Sequence, residues 1–356
     1  MSRSYFFIDL GHHICEKHGN IVSGDVFLYR KIQAENRIIA ILSDGLGSGV
    51  KANVLASMTA SMGLNFTEIR EPLERMAEFI ISTLPVDSER MISYASFTII
   101  DIDFEGLSRI IEFGNPHAVV FRNGEICQIE RKAIAFKKAK TNHQEMWLTE
   151  FYALRDDRII FFSDGVTQSG MGNATFPFGW DRANVVTYIK SKLSENDTIS
   201  ASLLSKTIVR QALKNDIYKA QDDTSCAVVY FRKPRNLLVC SGPPYHEKDD
   251  DELVNIYLEF QGKRIICGGT TAKIIAKGCN EQIEMDLDFA PSGIPPVSYM
   301  KSAALVTEGI ITLGRVAKIL EEYETDSLLD NNAATESGEG IIESRYDYFY
   351  CGHKDQ

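Results

Sequence analysis

The chain has 356 residues, 44% of them apolar, with 38 basic and 49 acidic side chains and a formal net charge of −11. That length accommodates two domains with ordinary cores. The acidic balance and the lack of a basic stripe argue against a nucleic-acid partner. Seven cysteines (Cys15, Cys127, Cys226, Cys240, Cys267, Cys279 and Cys351) form no Cys-x-x-Cys pair, as expected of reduced thiols in a cytoplasmic protein. The apolar run at residues 5–10 is too short for a signal peptide and contains Asp9. No run approaches the roughly 18 apolar residues of a membrane span, so no membrane partner is expected.

Residues 4–10 read as a strand, followed by a polar loop holding His12, His13 and His18, whose spacing fits no zinc pattern. Strands at 26–30 and 37–42 flank a turn at 33–36. After Gly49 the period changes. Val50, Val54, Met58 and Met62 recur every four residues, as on one face of a helix, and Ala52, Ala56, Ser57 and Ala60 on other faces would allow close packing. A second helix is expected over 71–84, with Pro72 in its first turn. Strands resume at 94–103, 107–113, 118–122 and 125–130, with Glu105-Gly106 and Asn123-Gly124 as hairpin signals. A strand at 158–162, helices at 181–193 and 198–213 (the latter capped by Asp197) and a strand at 224–231 complete the first unit. Runs of antiparallel strands with helix pairs between them predict an α+β fold.

Four acidic sites abut these strands. Ser23-Gly24-Asp25 precedes one, and Asp44-Gly45 ends the run 38–42. Asp164-Gly165 ends 159–162, and Asp222-Asp223 opens the last strand. Singly, an Asp-Gly at a strand end is a turn. Together, four carboxylates at converging strand ends need compensation. Hard divalent cations supply it, because Mg²⁺ and Mn²⁺ favour carboxylate, carbonyl and water ligands.

In this order, and with the helix pair after Asp44-Gly-Leu-Gly-Ser-Gly49, residues 1–232 resemble the PPM (PP2C-type) metal-dependent serine/threonine phosphatases, in particular the bacterial sporulation stage II E-like branch. The resemblance implies a β-sandwich flanked by helix pairs. It implies hydrolysis of phosphoserine or phosphothreonine on a regulatory protein, of the anti-sigma-antagonist kind, by a metal-activated water. Two Mn²⁺ or Mg²⁺ ions are implied, with Asp44 bridging both and the Gly45 carbonyl on the second. Asp164 and Asp222 would hold the first ion, and Asp25 would bind or orient metal-bound water. Asp25 and Asp44 are thus the implied catalytic pair. Asp223 stands where many relatives have Asn, beside the ligands, and Thr224 and Ser225 are expected to be structural. Ser48 replaces a frequent His. Asn115, in Phe113-Gly-Asn-Pro-His117, replaces the Asp of a third metal site in some relatives. His117 is a candidate general acid or a surface turn residue, and Lys17 and His18 are candidate phosphate contacts. The alternative function is a phosphatase-like sensor with little activity, gated by the C-terminal domain.

Residues 233–325 change pattern and read as a small α/β domain with a regulatory or ligand-binding role. Three times a strand passes through a small-residue loop into a helix: at Ser241-Gly-Pro-Pro, at Gly268-Gly269-Thr270-Thr271 and at Thr307-Glu308-Gly309. A strand is also expected over 282–289. Gly268 to Thr271 is a candidate anion loop, although it lacks a P-loop lysine. Residues 326–356 read as an acidic loop from 326 to 339 and a returning strand over 346–351.

Overall fold

A computed structural model describes residues 6–83, 95–103, 105–134, 145–285 and 297–329. The expected return strand at 346–351 and most of the acidic loop fall outside these residues. The chain divides after Lys233 into two compact units.

The first unit is a sandwich of two antiparallel sheets. One contains β1 (Phe7–Cys15), β6 (Val119–Arg122), β7 (Glu125–Ile126), β10 (Arg158–Phe162) and β11 (Thr224–Arg232), in the order β1-β11-β10-β6-β7. The other contains β2 (Asp25–Ile32), β3 (Arg37–Gly45), β4 (Ala95–Ile102), β5 (Leu107–Phe113), β8 (Arg131–Ile134) and β9 (Met146–Tyr152), in the order β2-β3-β4-β5-β9-β8. Alternation along the strands fills three apolar layers. Phe27, Ala40, Leu42, Ile100, Val120, Phe161, Val229 and Phe231 pack between the sheets. Ile39, Ile41, Phe97 and Ile99 face α1 (Val50–Glu68) and α2 (Leu73–Thr83) through Ala60, Leu64, Met76 and Ile80. Phe121, Ile160, Phe162 and Val228 meet Val185, Ile189, Leu204 and Ile208 of α4 (Arg182–Glu195) and α5 (Ala201–Asn215). Burial on both faces explains why these strands read as continuous apolar runs. The α+β expectation holds.

The alanines of α1 pack closely as expected: Ala52, Ala56, Ala60 and Gly63 face the sheet, and the apolar Val50/Val54/Met58 stripe faces outward, at 68, 50 and 47% exposure. The small side chains let α1 lie close to the strands: a Cβ on Gly63 would stand 2.6 Å from Ile41 Cδ1. Close approach outweighed side-chain size. Other local expectations are corrected. His12 and His13 belong to β1 and not to a loop. The His12 ring stacks on Phe27 with centroids 4.3 Å apart, and burial lowers both imidazole pKa values to about 4. The cap of α5 is Ser200, which accepts from Leu203 N–H, and not Asp197. Strands β8 and β9 and the one-turn helix α3 (Asp164–Gln168) had no sequence expectation.

The second unit is a five-stranded sheet in the order β12-β13-β16-β15-β14. Its parallel part is β12 (Leu237–Ser241), β13 (Lys263–Cys267) and β16 (Leu305–Thr307). Antiparallel β15 (Ser298–Tyr299) and β14 (Glu284–Met285) extend it. Of the strand expected over 282–289, the described residues hold only β14. Helices α6 (Asp250–Glu259), α7 (Gly269–Cys279) and α8 (Ile310–Leu329) accompany the sheet. The α8 helix carries 326–329 into helix, where a loop was expected. Leu238, Tyr257, Ile266, Ala272, Ile275 and Val306 form the core of this unit. No helix among the described residues is long and apolar enough to cross a membrane.

Candidate metal centre

The first unit gathers its acidic residues at one end of the sandwich. The β2–β3 register sets Asp25 directly opposite Asp44. On the other sheet, β10 pairs with β11 up to Phe162 and Cys226, so Asp164 follows one strand where Asp222 and Asp223 lead into its neighbour. Two glycines let these ends close together. A Cβ on Gly165 would collide with the Asp223 carbonyl, and one on Gly24 would sit 2.8 Å from Asp223 Oδ2.

Asp25, Asp164, Asp222 and Asp223 each accept a hydrogen bond from a neighbouring group. Ser225 Oγ donates to Asp25 Oδ2 at 2.6 Å, and Ser163 Oγ lies 3.0 Å from Ser225 Oγ. Gln168 Nε2 donates to Asp164 Oδ2 at 2.7 Å from the far end of α3. Asp223 Oδ1 accepts the Lys17 backbone N–H at 3.0 Å, and the Lys17 ammonium stands 3.8 Å from Asp222 Oδ1. Asp223 N–H donates to Asp222 Oδ1 at 3.0 Å.

The crowding has electrostatic consequences. Burial, then the negative charges of Asp223 and Asp164, pushes the Asp25 pKa up to about 7 against the pull of Ser225 and Ser163. Burial and the carboxylates of Asp25, Asp164 and Asp222 push Asp44 well above the ordinary carboxylate range. Asp44 and Asp164 also act on each other, and their contact raises Asp44 and lowers Asp164. Burial also raises Asp164, and burial with the Asp164 charge raises Asp222. Asp25 Oδ1 and Asp223 Oδ2 are buried with no hydrogen-bond partner. Among the described residues no three or more His, Cys, Asp or Glu side chains stand close enough together, as placed, to hold a metal ion. The set still fits hard cations. Its donors are oxygens, it carries excess negative charge, and two oxygens lack any hydrogen donor.

The sequence-nominated Asp25, Asp44, Gly45, Asp164, Asp222 and Asp223 thus occupy one end of one unit, and Gly268 to Thr271 lie in the other unit at the start of α7. Ser225 was expected to be structural; its hydroxyl in fact bonds Asp25 directly. Ser163, Gln168 and Gly24 were not singled out. For Ser163 the available signal was the repeated Ser-Asp-Gly, since that serine precedes Asp164 as Ser43 precedes Asp44. His117 Nδ1 lies 3.1 Å from Glu112 Oε2, and Glu112 also accepts the Ala118 N–H, so this histidine braces a turn. Asn115 Nδ2 donates to Leu42 O at 3.4 Å and Thr98 Oγ1 at 3.3 Å, tying its turn to β3 and β4. Ser48 is exposed in the loop before α1.

The family model for stage II sporulation protein E (SpoIIE) matches residues 34–232, more than half of the chain. The PP2C phosphatase domain and regulatory-domain fragment of the cell fate determinant SpoIIE from Bacillus subtilis superposes with a TM-score of 0.52 at 18% identity, over 65% of this chain and 65% of that one. The chain therefore spans less than two thirds of that relative. The RsbU and RsbW domains of a Mycobacterium tuberculosis protein superpose with a TM-score of 0.51 at 14% identity, over 72% of this chain and 70% of that one. No curated protein matches. Shared fold, the order of the acidic motifs and the family match agree: the chain belongs to the stage II sporulation protein E family, a branch of the PPM-type, PP2C-fold proteins.

Proposed function

We propose that the chain is a metal-dependent phosphoprotein phosphatase acting on phosphoserine or phosphothreonine. The observation that carries this reading is the convergence of Asp25, Asp44, Asp164 and Asp222 with raised carboxyl pKa values, together with the buried oxygens of Asp25 and Asp223 that lack a hydrogen-bond partner. Asp44, Asp164, Asp222 and the Gly45 carbonyl are the residues that would hold two Mg²⁺ or Mn²⁺ ions. When bound, such a pair activates water and offsets charge on the phosphoryl oxygens. Asp25 lies beside Asp44 as a proton acceptor, and the Ser225 and Ser163 hydroxyls fix its orientation. Gln168 fixes Asp164 in the same way. The Lys17 ammonium offers a positive contact to a phosphoryl oxygen beside Asp222.

Family membership supports a regulatory phosphoprotein of the anti-sigma-antagonist kind as substrate. The proposed compartment is the cytoplasm, in keeping with the six free thiols among the described residues. Residues 233–325 are proposed to regulate or target the activity without supplying a ligand, because all the carboxylates of the site precede Thr224.

The direct test is hydrolysis of p-nitrophenyl phosphate and of a phosphoserine protein with added Mn²⁺ or Mg²⁺. Turnover is expected with either ion and none in EDTA. Asp44→Ala is expected to lower the rate by about a hundredfold or more, because ion-mediated charge stabilisation contributes several kcal/mol. Full activity in chelated protein overturns the metal reading. A chain that binds Mn²⁺ without turnover on either substrate is a phosphatase-like sensor instead.

A further inference from the structure

The second unit contains an arrangement that the phosphatase reading does not use. Strands β12, β13 and β16 are adjacent and parallel, so the loops after β13 and β16 open on one edge of the sheet. Two of these loops touch. Gly268 N–H donates to Thr307 O at 2.8 Å, and a Cβ on Gly309 would stand 3.2 Å from Gly268 N. Gly268 and Gly309 have φ of 112° and 110°, in the left-handed region that favours glycine. Each starts a helix. The first intrahelical bonds are Ala272 N–H to Gly268 O in α7 and Leu313 N–H to Gly309 O in α8. The preceding first-turn amides therefore have no helical carbonyl to bond. Gly268 offers α7 no side-chain cap. Two helix N-termini, with their partial positive charge, thus begin side by side.

A second observation at this spot points to a ligand. Thr271, in the first turn of α7, is 0% exposed and its hydroxyl has no hydrogen-bond partner. Deeper in their helices, Thr59, Thr67, Thr187 and Thr207 each donate to the carbonyl four residues back. Thr271 has no helical carbonyl at that distance. Its Oγ1 instead faces the space that glycine leaves at 268, 3.6 Å from where a Cβ would be. A buried hydroxyl without a partner is costly, by about 1–3 kcal/mol, unless something hydrogen-bonds it. Beside it, Gly269 has no atom within 4 Å of its missing Cβ, so the side of the turn where a side chain would stand is open.

We propose that the turn Gly268–Thr271, together with the start of α8, binds one phosphoryl group of a small molecule. The amides of Gly269, Thr270 and Thr271 and the Thr271 hydroxyl donate to its oxygens, and the α8 N-terminus adds charge complementarity. The turn segments 268–271 and 307–309 contain no basic side chain, and the carboxylate of Glu308 is exposed. Recognition therefore rests on the backbone, which suits a compact oxyanion. Inorganic phosphate and a phosphate ester present the same chemistry.

The test uses the full chain, metal-free in EDTA, in equilibrium dialysis against radiolabelled orthophosphate and, separately, adenosine monophosphate. One saturable site per chain is expected. Thr271→Val should weaken binding by about tenfold or more, with an unliganded Tm equal to or above that of the parent because an unpartnered hydroxyl is removed. Thr271→Ser should retain binding. Tighter binding of the nucleotide identifies a phosphate ester as the ligand, and equal or weaker binding identifies free phosphate; both support the site. Absence of saturable binding of either anion overturns the proposal, as does undiminished binding by Thr271→Val. Neither result bears on the carboxylate centre, which is read separately by its metal-dependent hydrolysis.

Discussion

At the scale of single residues, the carboxylate centre is shaped as much by hydroxyls as by acids. Ser225 donates the 2.6 Å hydrogen bond that favours the ionised form of a buried Asp25. Groups that orient ligating side chains typically contribute about 10- to 100-fold in metal affinity or activity. Ser225→Ala is therefore expected to weaken Mn²⁺ binding by about 10- to 100-fold, with Ser225→Thr restoring much of it; an Ala variant with parental Mn²⁺ affinity would contradict the role. The pH dependence of the metal-free protein follows from Asp25 itself. Its pKa is raised from the ordinary carboxylate value of about 3.9 to about 7. The neutral form favours folding, so its stabilising contribution is complete below the ordinary value. That contribution is lost as pH rises through about 7. Asp25→Asn keeps a neutral side chain at every pH. In EDTA its Tm should exceed that of the parent by a margin that opens as pH rises through about 7. Mn²⁺ should narrow that gap by stabilising the parent. A gap independent of pH in thermal melts would count against the assignment.

At the scale of elements, α1 is placed by small residues and by one buried arginine. Arg37, at the start of β3, makes two hydrogen bonds to Asp101, at 2.7 and 2.9 Å. It also donates to the Thr67 and Glu68 carbonyls at the end of α1, at 2.6 and 3.1 Å. One guanidinium thus pairs a buried carboxylate and satisfies two carbonyls of a helix end. Removing Arg37 leaves the buried Asp101 carboxylate with the longer, 3.5 Å contact to Arg109, so most of its compensation is lost. Arg37→Leu is expected to cost about 3–5 kcal/mol in urea unfolding. The double variant Arg37→Leu/Asp101→Leu should recover part of that loss, because no buried charge remains. If the double variant loses as much as the two single variants summed, the pairing carries no such weight.

At the scale of the whole molecule, the division after Lys233 separates the carboxylate centre from the parallel sheet and its glycine turns. A chain ending at Lys233 is expected to fold, to bind Mn²⁺ and to hydrolyse p-nitrophenyl phosphate at a rate within about threefold of the full chain, since every residue proposed to hold metal remains and losses below that size correspond to well under about 1 kcal/mol. A folded truncate that binds Mn²⁺ without hydrolysing the small ester would show that residues beyond 233 take part in the chemistry. The rate on a phosphoprotein should change on truncation, because the proposed role of the second unit is to restrain or recruit.

The sequence by itself determined the elements with strong local signals: β3, β10 and β11 as apolar runs, the α5 period, and the Asn123-Gly124 turn between β6 and β7. It also nominated the acidic residues of the candidate site, because a carboxylate beside glycine at a strand end is a local pattern and the order of four such patterns is linear information. Tertiary structure decided what depends on distance. The outward face of α1 could not be read from hydrophobicity, since Ala52, Ala56 and Gly63 are buried for the closeness they allow, and closeness exists only once Ile41 is in place beneath them. The histidines of β1 became strand residues because β11, far away in sequence, supplied their ladder. Ser225 gained its part because folding set it 2.6 Å from Asp25. The protonation of Asp25 and Asp44 likewise arose only when burial and neighbouring charge were added to ordinary carboxyl groups.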